Sequence, residues 1–121
     1  MLEKKLRSFG YALNGVMIAW REEFNFRFQA SVAVAAILLS WFLQISKSEF
    51  LTILFLIGFV FTAEIFNTAL EELCDKFSSE HDPHIGKIKD LAAGAVFVSA
   101  ATSLVIGLAI FLPYLLPLRS I

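Results

Sequence analysis

The sequence predicts an all-α integral membrane protein, with an N-terminal amphipathic surface helix followed by three transmembrane helices. Three observations carry that prediction. Of 121 residues, 58% are hydrophobic and 17% charged, with a mean hydropathy of +0.74; a soluble domain is about 45–50% apolar and about 25% charged. Three stretches carry no charge at all: 28–46, 50–63 and 91–118. The charges that do occur are bunched between those stretches. A soluble domain this small needs polar residues to cover a high surface-to-volume ratio, so the composition argues against an ordinary soluble monomer and excludes a disordered chain. The apolar length leaves room for three or four spans, and we expect residues 1–121 to form a single domain.

The first element is expected over residues 2–27. Leu2, Leu6, Phe9, Leu13, Val16 and Trp20 recur at three- and four-residue steps, opposite Lys4, Lys5, Arg7 and Asn14. That period makes an amphipathic helix suited to lie in the membrane interface. No apolar run leading to a small-residue cleavage site follows, so no signal peptide is expected.

The charge-free stretches set the spans at 29–46, 50–76 and 83–117. The first and third are long enough to cross alone; the second must continue through Glu64 to Leu70. The short turn SKSE joins the first two. The loop KFSSEHDPHIG joins the last two, with Asp82 or Pro83 starting the third span. Pro113 and Pro117 are expected to end it. A row of small residues, Ala95, Ser99, Ser103 and Gly107, lets helix backbones approach closely, either within the chain or between copies.

Eight of the ten basic residues lie in the N-terminal segment and the second loop. With three spans these regions share a side, and the excess of Lys and Arg puts that side in the cytoplasm and the C-terminus outside. The net charge of −1 creates no field that would attract nucleic acid. The single Cys74 can form neither an internal disulfide nor a structural zinc site.

The chemistry is concentrated in AEIFNTALEELCDKF. At about 100° per residue, Glu64, Asn67, Thr68, Glu71 and Asp75 share one arc of a helix about 100° wide. A carboxylate at membrane depth costs at least about 2.5–3.5 kcal/mol and is usually functional. Glu64, flanked by long apolar sequence, is therefore read as a general base. Glu71 and Asp75 lie nearer water, where two or three carboxylates suit Mg²⁺, an ion that also takes phosphate oxygens. Glu22, Glu23, Asn25 and Arg27 cluster at the end of the surface helix. Lys89 and Asp90 lie near the start of the third span, where lysine and helix dipole favour anionic groups. There is no GxxxxGK[ST], GxGxxG or HRD-type loop, which excludes the P-loop and protein-kinase folds.

EIFNTALEELCD, followed by KDLAAGAV and preceded by EEFNFR, resembles the prokaryotic diacylglycerol kinase and undecaprenol kinase family of small integral membrane kinases. The resemblance runs from about Lys4 to Leu112. It implies ATP-dependent phosphorylation of a lipid hydroxyl with Mg²⁺, by a homotrimer with active sites shared between subunits in the cytoplasmic (inner) membrane. By position, Glu64 resembles the general base and Asn67 a residue orienting the reacting groups. Glu23 and Glu71 resemble the metal carboxylates, and Lys89, with Asp90 beside it, the phosphate-binding lysine. Lys4, Tyr11, Asp75, Glu80 and Asp82, with Glu23 and Glu71, fall where the family contacts ATP. Arg27 and Ala93, with Glu64, are the expected lipid contacts. The run Phe24-Asn25-Phe26-Arg27-Phe28-Gln29 and DLAAGAV look more like the undecaprenol kinase branch. The resemblance thus implies undecaprenol as the acceptor, with diacylglycerol as the alternative. A non-catalytic oligomeric membrane subunit is the alternative of another class.

Overall fold

In the computed structural model, which describes residues 1–77 and 82–116, four helices follow one another: α1 (Leu2–Glu22), α2 (Phe24–Leu43), α3 (Lys47–Phe77) and α4 (Pro83–Leu115). Three of them, α2, α3 and α4, are long and apolar enough to cross a membrane. Lipid offers the backbone no hydrogen-bond partners, so spans must satisfy themselves as helices. Their hydroxyls follow suit. Ser31, Ser40, Thr52, Thr62 and Thr68 each donate to the carbonyl four residues earlier, at 2.7–3.2 Å.

The expected bounds shift at each joint. The surface helix does not run to residue 27. It breaks at Glu23, whose backbone is extended (φ −112°, ψ 111°), so residues 24–28 already belong to the first span. No Gly or Pro marks this corner; Arg27 stabilises it. Its guanidinium donates to the carbonyls of Trp20 (2.7 Å) and Arg21 (3.1 Å). Those last-turn carbonyls have no partner within the helix, and the dipole makes that end attractive to a cation.

Span one ends at Leu43 rather than 46, because Gln44 turns left-handed (φ 51°) and returns its N–H to Ser40 and Trp41. Span two begins at Lys47 rather than 50, within the SKSE segment expected to be a turn. Ser46 Oγ accepts the Glu49 N–H at 3.2 Å and Glu49 Oε1 accepts the Ser46 N–H at 2.9 Å, the two bonds of a capping box. Asp82 caps α4, its carboxylate accepting from the N–H groups of His84 and Ile85, with Pro83 in the first turn. Pro113 does not end the helix, which continues to Leu115. Pro117 lies outside the described residues.

α3 and α4 pack most closely on each other, with α2 against α3 and the end of α1 touching both α2 and α3. The small-residue row turns inward only from Ser99, which is 1% exposed; Ser103 and Gly107 line a cavity between α2, α3 and α4, while Ala95 is exposed on the open groove between α3 and α4. On the far side of the bundle, the Tyr114 hydroxyl donates to Glu49, joining the end of α4 to the start of α3. Tyr114→Phe should lower stability by about 1 kcal/mol, the usual worth of one such bond, and leave catalysis intact. A thermal midpoint in detergent that does not fall would remove this link from the fold's stabilising contacts.

α3 has 31 residues and α4 has 33, or about 46 and 50 Å at about 1.5 Å per residue, well beyond the ~30 Å of a bilayer core. The rings of Phe26 and Phe61 lie 4.9 Å apart, so α2 begins level with the middle of α3. Residues 62–77 of α3 therefore overhang the end of α2, together with the first turns of α4. That overhang, roofed by the α1–α2 corner, is where the acidic residues gather.

α1 lies almost bare. Leu2, Leu6, Phe9, Leu13, Val16 and Trp20 are all exposed, and only Ala19, in its penultimate turn, is buried. An apolar stripe with no protein cover, beside three apolar spans, is what an interfacial helix presents to lipid.

Candidate active site

Glu64 is 4% exposed, the only buried charged side chain among the described residues. It lies one turn beyond Phe61, beneath the corner where α1 meets α2. Glu23 and Glu71 both lie within electrostatic range of it. Glu23 reaches this place because it is the single extended residue between two helices, and so projects off the axis of either. Glu71 comes two turns after Glu64 on the same face of α3. Three carboxylates from two parts of the chain thus converge.

The convergence shows in Glu23, which lies outside the spans. Its carboxyl is held above the usual carboxylate range, first by burial, then by the negative charges of Glu71, Glu22 and Glu72, with Arg27 opposing. A carboxyl raised in this way binds its proton more tightly folded than unfolded. Its contribution to stability is complete below the ordinary carboxylate value and is lost as pH rises through the raised one. Ionised Glu23 therefore destabilises the empty protein at neutral pH. Glu23→Gln should raise the thermal midpoint at pH 7 without divalent cations, and the gain should shrink by pH 4. A variant no more stable than the parent at pH 7 would contradict this.

Asn67 lies between Glu64 and Glu71. Its Nδ2 donates to Glu71 Oε1 at 3.2 Å, which leaves its Oδ1 buried without a partner. An orphaned buried acceptor costs free energy, and here it sits beside a carboxylate bound by the same side chain. One turn further, Asp75 accepts a hydrogen bond from the Lys89 Nζ of α4, which is also within range of Glu71. Glu23, Glu64, Asn67, Glu71, Asp75 and Lys89 thus form a continuous polar patch in one chain.

Among the described residues, no three or more His, Cys, Asp or Glu side chains close into a metal cage. Mg²⁺ does not ask for one: it commonly takes one or two carboxylates and completes its shell with water and phosphate. Glu23, Glu71 and the unpartnered Asn67 Oδ1 are hard oxygen donors of that kind, so the residues present fit this ion.

Other expected residues lie elsewhere. Lys4 and Tyr11 are exposed on the bare stretch of α1. Twelve residues separate Tyr11 from Glu23, about 18 Å along a helix at about 1.5 Å per residue; Lys4 is further still. Within one chain neither joins the acidic cluster. Asp82 is engaged in capping α4, and Arg27 in capping α1. Asp90 lines an open groove between α3 and α4 with Phe59, Ala63 and Lys87, and Ala93 is exposed. Glu80 lies outside the described residues. Sequence reasoning missed the corner at Glu23, the capping by Arg27 and the Asp75–Lys89 pair. None has a local signature, since each depends on which helix lies alongside.

A family model described as prokaryotic diacylglycerol kinase matches residues 10–111. The chain is 40% identical over 114 residues to the undecaprenol kinase of Bacillus subtilis (strain 168), covering 94% of this chain and 93% of that protein. It is 34% identical over 114 residues to a diacylglycerol kinase of Synechocystis, covering 93% of this chain and 65% of that protein. It is 24% identical over 100 residues to the diacylglycerol kinase of Escherichia coli (strain K12), covering 83% of this chain and 82% of that protein.

Proposed function

Because this chain belongs to the prokaryotic diacylglycerol kinase family and is a membrane lipid kinase, we propose that it transfers the γ-phosphoryl group of ATP to the hydroxyl of undecaprenol. The observation that carries this reading is the buried Glu64, gathered with Glu23 and Glu71 and one turn from Asn67. A buried base, beside donors for a metal and a cation for phosphate, is an arrangement for phosphoryl transfer to an alcohol.

Each residue then has a task. Glu64 accepts the proton of the attacking hydroxyl. Glu23 and Glu71, with Asn67 Oδ1, would hold Mg²⁺, which when bound neutralises charge on the phosphate oxygens. Asn67 Nδ2 fixes the Glu71 carboxylate. Lys89, aimed by Asp75, offers its ammonium to the transferring group. Most of the catalytic effect is positioning and preorganised charge rather than covalent chemistry.

ATP contacts are assigned to Lys4, Tyr11, Glu23, Glu71, Asp75, Glu80, Asp82, Lys89 and Asp90, and lipid contacts to Arg27 and Ala93. Of these, Arg27 and Asp82 must act while also capping helices. Tyr11 and Lys4 are too far along α1 to reach their own chain's cluster. A homotrimer in which α1 of one copy serves the cluster of another meets that requirement. The cluster end of the bundle faces the cytoplasm of the inner membrane and the C-terminus faces outward, as the distribution of Lys and Arg favours.

Undecaprenol is preferred over diacylglycerol because the undecaprenol kinase relative is 40% identical over nearly all of both chains, against 34% and 24% for two diacylglycerol kinases. The test is purified protein with ATP and Mg²⁺ and both lipids in competition. Faster phosphorylation of undecaprenol is expected. Preference for diacylglycerol reverses the lipid assignment, and no phosphorylation of either favours a non-catalytic subunit.

A further inference from the structure

The corner between α1 and α2 is held by bonds rather than by the conformational bias of its own residues. Glu22 and Glu23 are helix formers, so propensity alone would carry α1 straight into α2. A straight helix would also set Glu23 four residues before Arg27, the favourable order for an ion pair on one helix face. The structure takes neither course. Glu23 is extended (φ −112°, ψ 111°), and the ion pairs formed among the described residues are Glu3–Arg7 and Asp75–Lys89. The Arg27 guanidinium instead crosses the corner, one nitrogen donating to the carbonyls of Trp20 at 2.7 Å and Arg21 at 3.1 Å. The Glu23 N–H donates to the Ala19 carbonyl at 3.0 Å, and the Glu23 carbonyl accepts from the Arg27 N–H at 3.3 Å. Ala19, in turn, is the buried residue of α1. Arg27 thus closes the corner with its backbone and its side chain together.

We propose that Arg27 is a positioning residue for the divalent cation: by bridging α1 to α2 it holds Glu23 in the extended conformation that brings its carboxylate toward Glu71. The inference rests on the reading of Glu23 and Glu71 as cation ligands. Glu23 is the single residue between the two helices, and from there it lies within electrostatic range of Glu64 and Glu71. The two carbonyls that Arg27 takes belong to the last turn of α1, where the helix itself supplies no donor and a cation is favoured. Without them that turn is free to wind on into α2. Winding on would change Glu23 from extended to helical backbone and so redirect its side chain. Glu71 would keep its hydrogen bond from Asn67, at 3.2 Å, but would lose the second carboxylate. Arginine suits this task because its guanidinium combines fixed charge with a planar fork of donors, where lysine offers a point charge. A lipid contact at Arg27 is a separate role, since capping acts on Glu23 through the backbone.

The test uses the full chain in neutral detergent, with Mn²⁺ as the probe beside a non-hydrolysable ATP analogue, and reads bound Mn²⁺ by electron paramagnetic resonance. Arg27→Gln should weaken Mn²⁺ binding about 10- to 100-fold, as loss of an outer-shell partner of a metal does. Arg27→Lys keeps a cation at the α1 carbonyls but not the fork, so its loss should be measurable but smaller. The deciding comparison is a double-mutant cycle with Glu23→Ala. With Glu23 already gone, neither Arg27 substitution should weaken binding further. An equal loss with and without Glu23 overturns the proposal, since Arg27 then acts on the cation independently of Glu23. Unchanged Mn²⁺ affinity in Arg27→Gln overturns it as well; a lower thermal midpoint or a raised lipid KM beside that result makes Arg27 a structural or lipid-binding residue only. If Arg27→Gln does not fold, the cycle is run with Arg27→Lys, where no loss, or a loss that persists without Glu23, overturns the proposal. A Glu23→Ala chain that binds Mn²⁺ as tightly as the parent defeats the metal reading of Glu23 and the proposal with it. Weakened binding in Glu23→Ala with no effect at Arg27 keeps that reading and defeats the positioning role alone.

Discussion

Glu64→Gln should abolish lipid phosphorylation while the protein stays folded. General-base catalysis contributes about 10²–10⁴-fold, and an amide of the same shape cannot take the proton, so turnover should drop by at least about a hundredfold. The substitution is nearly isosteric, and the Thr68 hydroxyl bonds the Glu64 backbone carbonyl rather than its carboxylate. It also removes a negative charge facing Glu23 and Glu71, so the thermal midpoint should hold or rise. Loss of activity with unchanged stability is therefore the expected pair of readings. Near-normal turnover in a folded variant would end the general-base assignment.

Glu71→Ala is the second large effect. It removes a candidate metal ligand and strands the Nδ2 of Asn67, which donates to Glu71 Oε1 at 3.2 Å. Loss of turnover by about a hundredfold or more is expected, as when one preorganised charge-stabilising group is removed from an active site. Glu71→Gln separates the two roles, since its amide oxygen can still accept from Asn67 but carries no charge. Both variants should be inactive if charge is what matters; recovery in Glu71→Gln would make Glu71 a positioning residue for Asn67. Glu23→Ala should move the Mg²⁺ titration to higher concentration by at least about tenfold, the lower end of what outer-shell partners of a metal cost. An unmoved Mg²⁺ curve would detach Glu23 from the metal.

Much of this was legible in one dimension. Charge-free stretches give the spans because charge at membrane depth is costly wherever the helix packs. The step of three and four residues from Leu2 to Trp20 gives the surface helix. The column Glu64, Asn67, Glu71, Asp75 follows from helical geometry alone, and the structure keeps all four on one continuous helix. The helix ends were harder. The capping box at Ser46 and Glu49 has a sequence signature, S-x-x-E, that outweighs the turn-like polarity of SKSE, while the corner at Glu23 has none, because its stabilising bonds come from Arg27 reaching backward across it.

Composition and spacing suffice for the class of molecule, the number of spans, and which carboxylate lies deepest, since each follows from transfer free energy and helical periodicity. It took the packing of the helices to bring Glu23 within electrostatic range of Glu64 and Glu71, to pair Lys89 with Asp75, to turn Ser99 inward, and to leave a slot open beneath the base. Those facts depend on how long helices overhang a short one and how their side chains fill the space between them. That geometry is set by packing between residues far apart in the chain, which no local pattern records.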